Sequence, residues 1–343
     1  FTPWIKAEEA VTAEAPAEKA PEDYEGEVQL YSTMTEADLD ALITCFNEKY
    51  PDIEVIVTNG SAGELTTRIA GEAGNPQGDL VWGGMADSDG QAYAEIFEAW
   101  VSKYDAENMP GYTSPNGLYS MDHLSTVVFV VNEELEAQLG LKIESYEDLL
   151  NPALKGMIAS ADPNASSSSF AHLSNILLAR GDGENPYESE AAWNYVAALI
   201  EQLDGSLTSG SSAVYKGVAN GEYTVGLSYE VGVAGYIANG AQGVRAVYPT
   251  EGVCWTPVGS AIINGAKNLD NAKLFMDWLI SDECQTIMAT AEGSVLRGVR
   301  TDLFVPTEYM PSFDTLNLKQ EDSEYTSGNK QTILDHWNDL WNK

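Results

Sequence analysis

The chain has 343 residues, 44% of them apolar, with 17 Lys and Arg against 53 Asp and Glu for a formal net charge of −36. This length favours two domains, and the apolar share suffices for an ordinary core. Nucleic acid is excluded as a partner, because binding that polyanion depends on clustered cations.

Residues 1–25 read as a disordered acidic tether: they are rich in Ala, Glu and Pro and lack hydrophobic periodicity. The folded part opens with "EVQLYSTM", a strand with a polar end. Next comes "TEADLDALITCFNEKYP", a helix capped by Thr35 with Asp38 three residues on, and with Leu39, Leu42, Ile43 and Phe46 on one face. "DIEVIVTNG" is a second strand. "SAGELTTRIAGEAG" is a second helix, whose Ser61 and Glu64 have capping-box spacing. "GDLVWGG" is a third strand, ending in glycines. Strands alternating with helices indicate a mainly parallel α/β sheet.

"LSTVVFVVN" is a strand run long enough to pass between domains. Residues 144–250 form a second α/β set, with "SYEDLLNP" as a turn, "GMIASADP" as a strand, a helix opening in serines and "GEYTVGLSYE" as another strand. "VGSAIING" is again a strand. "LDNAKLFMDWLISDECQTIMAT" reads as one helix with Leu274, Phe275, Trp278 and Leu279 on a face, and the last part is expected to return to the first domain. The expected boundaries are 26–124 plus 257–343 for one lobe and 125–256 for the other. No apolar run reaches the length of a membrane span; the longest, Val127–Val131, is a strand. Cys45, Cys254 and Cys284 lack metal-binding spacing, and a Cys254–Cys284 disulfide stays open.

Polar, small residues recur where strands end and helices start. They are Ser32 and Thr33, Ser61 and Ala62, Gly83 and Gly84, the run Ser166, Ser167, Ser168 and Ser169, and the pair Ser211 and Ser212. Backbone N–H groups are free at such places and the helix end is positive, which suits an anionic ligand. One such loop is no more than a helix cap; five, in both halves, point to a ligand seat. Lys216, Arg68, Arg245 and His172 are candidates to assist, and Trp82 and Trp255 to line the site. Three histidines, His123, His172 and His336, occur without a G-x-S-x-G, H-E-x-x-H or Walker pattern, so no enzyme and no cofactor is expected.

The stretch from "LYSTMTEADLDALITCFNEKYP" through "GDLVWGG" resembles the first lobe of type 2 periplasmic solute-binding proteins of ABC importers. The resemblance continues through "GEYTVGLSYEVGVAGYIANGA" and "TPVGSAIINGAKNLDNAKLFMDWLISDECQ". The branch it resembles holds ferric-iron, hexose-phosphate and 2-aminoethylphosphonate binders. The resemblance implies a two-lobed fold joined by a strand hinge, with each lobe a mainly parallel sheet flanked by helices. It also implies a monomer outside the cell membrane, lipid-anchored through a segment absent from this chain, that passes a small anionic solute to an ABC permease. Iron binders of the branch use adjacent tyrosines, and the matching position here is Ser228-Tyr229-Glu230. The first strand ends in Ser32-Thr33-Met34, without the histidine usual among them. A phosphorylated or phosphonate solute is therefore expected, with Tyr229 in the site and Glu230 taking a ligand hydroxyl or amine; ferric iron is the alternative.

Overall fold

The computed structural model describes residues 19–86, 94–109, 111–114, 117–290, 295–300 and 303–343. Strands β1 (Gly26–Ser32), β2 (Ile53–Asn59) and β3 (Leu80–Ala86) are joined by α1 (Glu36–Lys49) and α2 (Ala62–Gly71). β1 pairs in parallel with both β2 and β3, the arrangement that crossover helices require. Thr35 caps α1 by accepting from the Asp38 amide, and Ser61 and Glu64 form a reciprocal capping box at α2.

β4 (Ser120–Asn132) leads into α3 (Glu133–Leu139), β5 (Ile158–Ala159), α4 (Ser167–Arg180), α5 (Glu190–Leu203), α6 (Ser211–Ala219), β6 (Val225–Tyr229), α7 (Glu230–Ala238) and β7 (Val244–Val247). The chain then forms β8 (Val253–Ile262), α8 (Leu269–Ile280), α9 (Asp282–Thr290), β9 (Arg297–Gly298), β10 (Leu318–Lys319), α10 (Ser323–Gly328) and α11 (Lys330–Trp341). The strands run in the order β2-β1-β3-β8-β4-β6-β5. β4 belongs to both parts of this mixed sheet. Residues Ser120–Thr126 pair with β8, whereas Val127–Asn132 pair with β6 and β7.

Period-2 alternation sends neighbouring side chains of each strand to opposite faces. Val28 and Leu30 of β1 pack with Leu42 and Phe46 of α1 and with Phe275 and Trp278 of α8. Tyr31, the residue after Leu30, turns to the other face and meets Leu65 and Ile69 of α2. In β4, Phe129 and Val131 meet Leu173 and Leu177 of α4 and Val196 and Leu199 of α5. Val128 and Val130 meet Val214 and Val218 of α6. Helices thus cover both faces of both parts, and each such buried side chain contributes about 1.5–3 kcal/mol.

Three expectations are corrected. Of the tether, residues 1–18 lie outside the described residues, but the rest is ordered: Pro21–Asp23 form a 3-10 turn, and Tyr24 packs edge-on against Tyr50 with ring centres 5.7 Å apart. The C-terminus does not stay with the first lobe. Ile333, Leu334 and Trp337 of α11 join the core of α4 and α5, and β10 pairs with the start of β8. The helix expected over 269–290 is two helices, because Ser281 adopts an extended conformation between α8 and α9.

Candidate ligand-binding cleft

A cleft of about 1690 Å³ runs between the two parts, walled by Thr33, Thr35, Ser61 and Ala62 on one side and by Ser166–Ser168, Ser211 and Ser212 on the other. The sides come close at one place: a β-carbon on Gly63 of α2 would lie 4.0 Å from the Ala165 carbonyl oxygen, just ahead of α4. Helix starts therefore face one another across the cleft.

These helix starts differ in what their donors already hold. At α2 the Ser61 amide and hydroxyl both donate to the Glu64 carboxylate, at 2.9 and 2.8 Å. Those bonds hold the Glu64 carboxyl below its ordinary range, so a negative charge already occupies this end. At α4 the Ser166 hydroxyl accepts from the Ser169 amide at 3.3 Å, and the Ser169 hydroxyl donates to the Ala161 carbonyl at 2.6 Å. The Ser167 and Ser168 amides, in the first turn, have no intrahelical acceptor. At α6 the cap is Gly210, which supplies no side-chain acceptor. The Ser211 and Ser212 amides are thus open as well. The second part of the fold presents two positive helix ends to the same cleft.

Several expected site residues serve structure instead. Ser32 is fully buried, donating to the Trp82 carbonyl at 3.0 Å and accepting from the Met34 amide at 3.1 Å. Gly83 and Gly84 have φ of +81° and +67°, and a β-carbon on Gly83 would meet the Met34 sulfur at 2.5 Å. Of the two, Gly84 reaches the cleft wall. Ser169 is spent on Ala161, away from the ligand space. Glu230 is the plainest correction. It is fully buried, receives Arg297 Nε and Nη2 at 3.1 and 2.7 Å, and accepts from the Tyr248 hydroxyl at 2.5 Å. Trp255, Phe304 and Phe313 enclose the Arg297 guanidinium, with ring centres 4.6, 3.9 and 4.6 Å away. Both carboxylate oxygens of Glu230 are thus engaged within the protein, and the residue does not line the cleft.

Among the assisting candidates, Lys216 and Arg68 line the cleft, the latter held by Glu72 at 2.8 Å. Arg245 pairs with Glu136 at 2.8 Å. His172 is buried and donates Nε2–H to the carbonyls of Ser228 and Val128, at 2.7 and 3.1 Å. Its burial lowers its pKa to about 4. Trp82 is a core residue whose Nε1 donates to Asp122 at 3.1 Å. All three cysteines are free; Cys254 lines the cleft and Cys284 lies in the core beside α8, so the disulfide left open is not formed.

Tyr229 does line the cleft, and beside it stands Tyr215 of α6, which sequence spacing did not single out. Their ring centres are 6.3 Å apart. Gly232 makes this approach possible: a β-carbon there would lie 2.6 Å from Tyr229 Cζ and 2.9 Å from Tyr215 Cε1. Burial raises the pKa of both phenols. Among the described residues, no group of three or more His, Cys, Asp or Glu could hold a metal, and no helix is long and apolar enough to cross a membrane.

Residues 41–304 match the bacterial extracellular solute-binding protein family. An uncharacterized protein of Haemophilus influenzae is 31% identical over 280 residues, 79% of this chain and 78% of its own. Iron uptake protein A1 of Synechocystis is 26% identical over 298 residues, 80% of this chain and 77% of its own. Among solved structures, the periplasmic binding protein AfuA of Actinobacillus pleuropneumoniae, with exogenous fructose-6-phosphate bound, superposes with a TM-score of 0.80. It is 25% identical and covers 92% of this chain and 99% of its own. The chain belongs to the bacterial extracellular solute-binding protein family and has the two-lobed type 2 periplasmic binding protein fold.

Proposed function

We propose that this protein captures a small phosphorylated or phosphonate solute in the cleft and delivers it, as an extracytoplasmic monomer, to an ABC permease. The observation that carries this reading is the pair of open helix starts, at Ser167–Ser168 and Ser211–Ser212, on one wall of one cleft. Amides and hydroxyls there can surround a tetrahedral oxyanion, and charge-assisted bonds of this kind are the stronger class. Lys216 adds a cation at the same wall. The net charge of −36 does not oppose this. Salt confines its field to about 8 Å, whereas the donors act at contact. Closure of the two lobes on a shared ligand supplies the signal that a permease reads. The fructose-6-phosphate held by AfuA supports the same class of solute.

Ferric iron is the second reading, favoured by the proximity of Tyr215 and Tyr229 and by the name of the Synechocystis relative. Two phenolates are hard donors of the kind ferric iron takes. Their raised pKa values and the Glu64 carboxylate's engagement in its own cap leave that site short of ready oxygen ligands.

A thermal-shift screen separates the two, since a ligand that binds only the folded state raises its melting temperature. The panel is fructose 6-phosphate, glucose 6-phosphate, 2-aminoethylphosphonate, inorganic phosphate and ferric citrate. Stabilisation by a phosphorylated or phosphonate compound is the expected result. Stoichiometric ferric binding with a visible tyrosinate absorption band, and no response to any phosphorus compound, would contradict it.

A further inference from the structure

Helix α7 follows β6 of the second part of the fold, yet its two faces lie in different cores. Val233, with Tyr236 and Ile237 three and four residues on, packs with Val128, Val130 and Val214. Val231 and Ala234, on the opposite face, are buried with Leu30, Met34 and Phe275 of the first part. Gly235 lies on that same face, and a β-carbon there would come within 3.4 Å of Val295 Cγ2. The helix is shared between the parts, as β4 is.

Arg297 fastens the start of this helix to the first part. β9 pairs with β4 at His123 and Leu124, within the stretch that pairs with β8, so Arg297 belongs to the first part. Its Nε and Nη2 donate to Glu230 at 3.1 and 2.7 Å, and Nη2 also donates to the Pro311 carbonyl at 3.0 Å. Tyr248, which follows β7 of the second part, donates its hydroxyl to the same carboxylate at 2.5 Å. Glu230 therefore takes donors from both parts. Neither Arg297 nor Glu230 has solvent access. A planar guanidinium on two carboxylate oxygens fixes direction as well as distance. Tyr229, next to Glu230 in the chain, packs against both cores and lines the cleft.

We infer that Arg297 is a positioning residue: through Glu230 it anchors α7 to the first part and makes this buried network the fixed point about which the cleft opens and closes. Connecting strands such as β4 absorb the backbone changes of closure. They do not fix how one lobe is turned relative to the other; a directional contact between the lobes does. The wall carrying Thr35 and Ser61 and the wall carrying Ser166–Ser168 and Ser211 thereby meet any solute in one registration. This holds whichever solute is bound.

The test is the distance distribution between spin labels on the two parts, at Ala70→Cys of α2 and Glu201→Cys of α5, both exposed positions. The full chain carries Cys45→Ser, while the buried Cys254 and Cys284 stay in place. The reading is made without ligand, so a failure of the phosphorylated-solute reading leaves it intact. Arg297→Met with Glu230→Gln removes the contact without leaving a lone charge. Leu199→Ala, in the separate core of α4 and α5, is the control for lost stability. The expected result is a distribution roughly twice as wide as that of the wild type in the double variant, with wild-type width in Leu199→Ala. Arg297→Lys keeps the charge without the paired geometry; it should fall between them, and it decides the matter if the double variant does not fold. Wild-type width in the folded double variant, or in Arg297→Lys where that variant decides, overturns the inference. Equal broadening in Leu199→Ala overturns it too, by assigning the effect to lost stability.

Discussion

Arg297 grips Glu230 through two hydrogen bonds in a space with no solvent access, joining the strand beside the hinge to the first residue of α7. Tyr229 immediately precedes that glutamate, so the ion pair holds the cleft's tyrosine from behind. Removing one member of a buried pair leaves an uncompensated charge and costs about 3–5 kcal/mol. Arg297→Met should therefore lower stability by that order in denaturant titration. The double variant Arg297→Met, Glu230→Gln should recover part of the loss, because no charge is then left alone.

Gly232 should tolerate no side chain. Gly232→Ala places a methyl group 2.6 Å from the Tyr229 ring, and overpacking of this kind costs about 1–3 kcal/mol. The rings must move apart, and both line the cleft. Ligand affinity should fall by more than the stability loss accounts for, as read by titration beside thermal melting.

The His172 imidazole gives the fold a defined acid sensitivity. Burial lowers its pKa from 6.5 to about 4, so between those values the unfolded chain binds the proton and the folded chain does not. Stability from this group is present above pH 6.5 and is lost as pH falls toward 4, by up to about 3 kcal/mol. His172→Gln should be less stable at pH 7 but show a shallower decline with acid in urea unfolding. A parallel decline would assign the acid sensitivity to other groups.

Asp38 acts in the opposite sense. Its burial raises its pKa, so ionisation destabilises the fold, and stability is lost as pH rises through the raised value. Asp38→Asn keeps the shape without the charge and should raise the melting temperature at pH 7, with the gain shrinking toward pH 4.

The features legible in the sequence are those that depend on short spacing. Thr35 with Asp38 and Ser61 with Glu64 are three apart, and the structure forms both caps. The strands β1 to β3 follow from apolar runs bounded by turn residues. What the sequence hid depends on partners far along the chain. Glu230 looks available until Arg297, 67 residues on, arrives beside it. Tyr215 and Tyr229 sit on different elements, and their meeting depends on Gly232. Asp122 and His123 are adjacent, but a register shift against β8 decides that they share a face. The C-terminal helix carries an apolar stripe without saying which core it joins. Equivalent serine-rich loops also look alike until their own caps are traced, which separates α2 from α4 and α6.

The central claim is that the start of α4 holds the solute's acidic group, and the most direct measurement is the affinity of Ser167→Ala and Ser168→Ala for fructose 6-phosphate by titration calorimetry. A hydrogen bond to a charged acceptor is worth about 1.5–3 kcal/mol, so at least one variant should bind roughly tenfold to a hundredfold more weakly. Neither residue is the N-cap, so melting temperature should hardly move. Affinity within threefold of wild type in both variants would contradict the account and leave the serine run as a helix start alone.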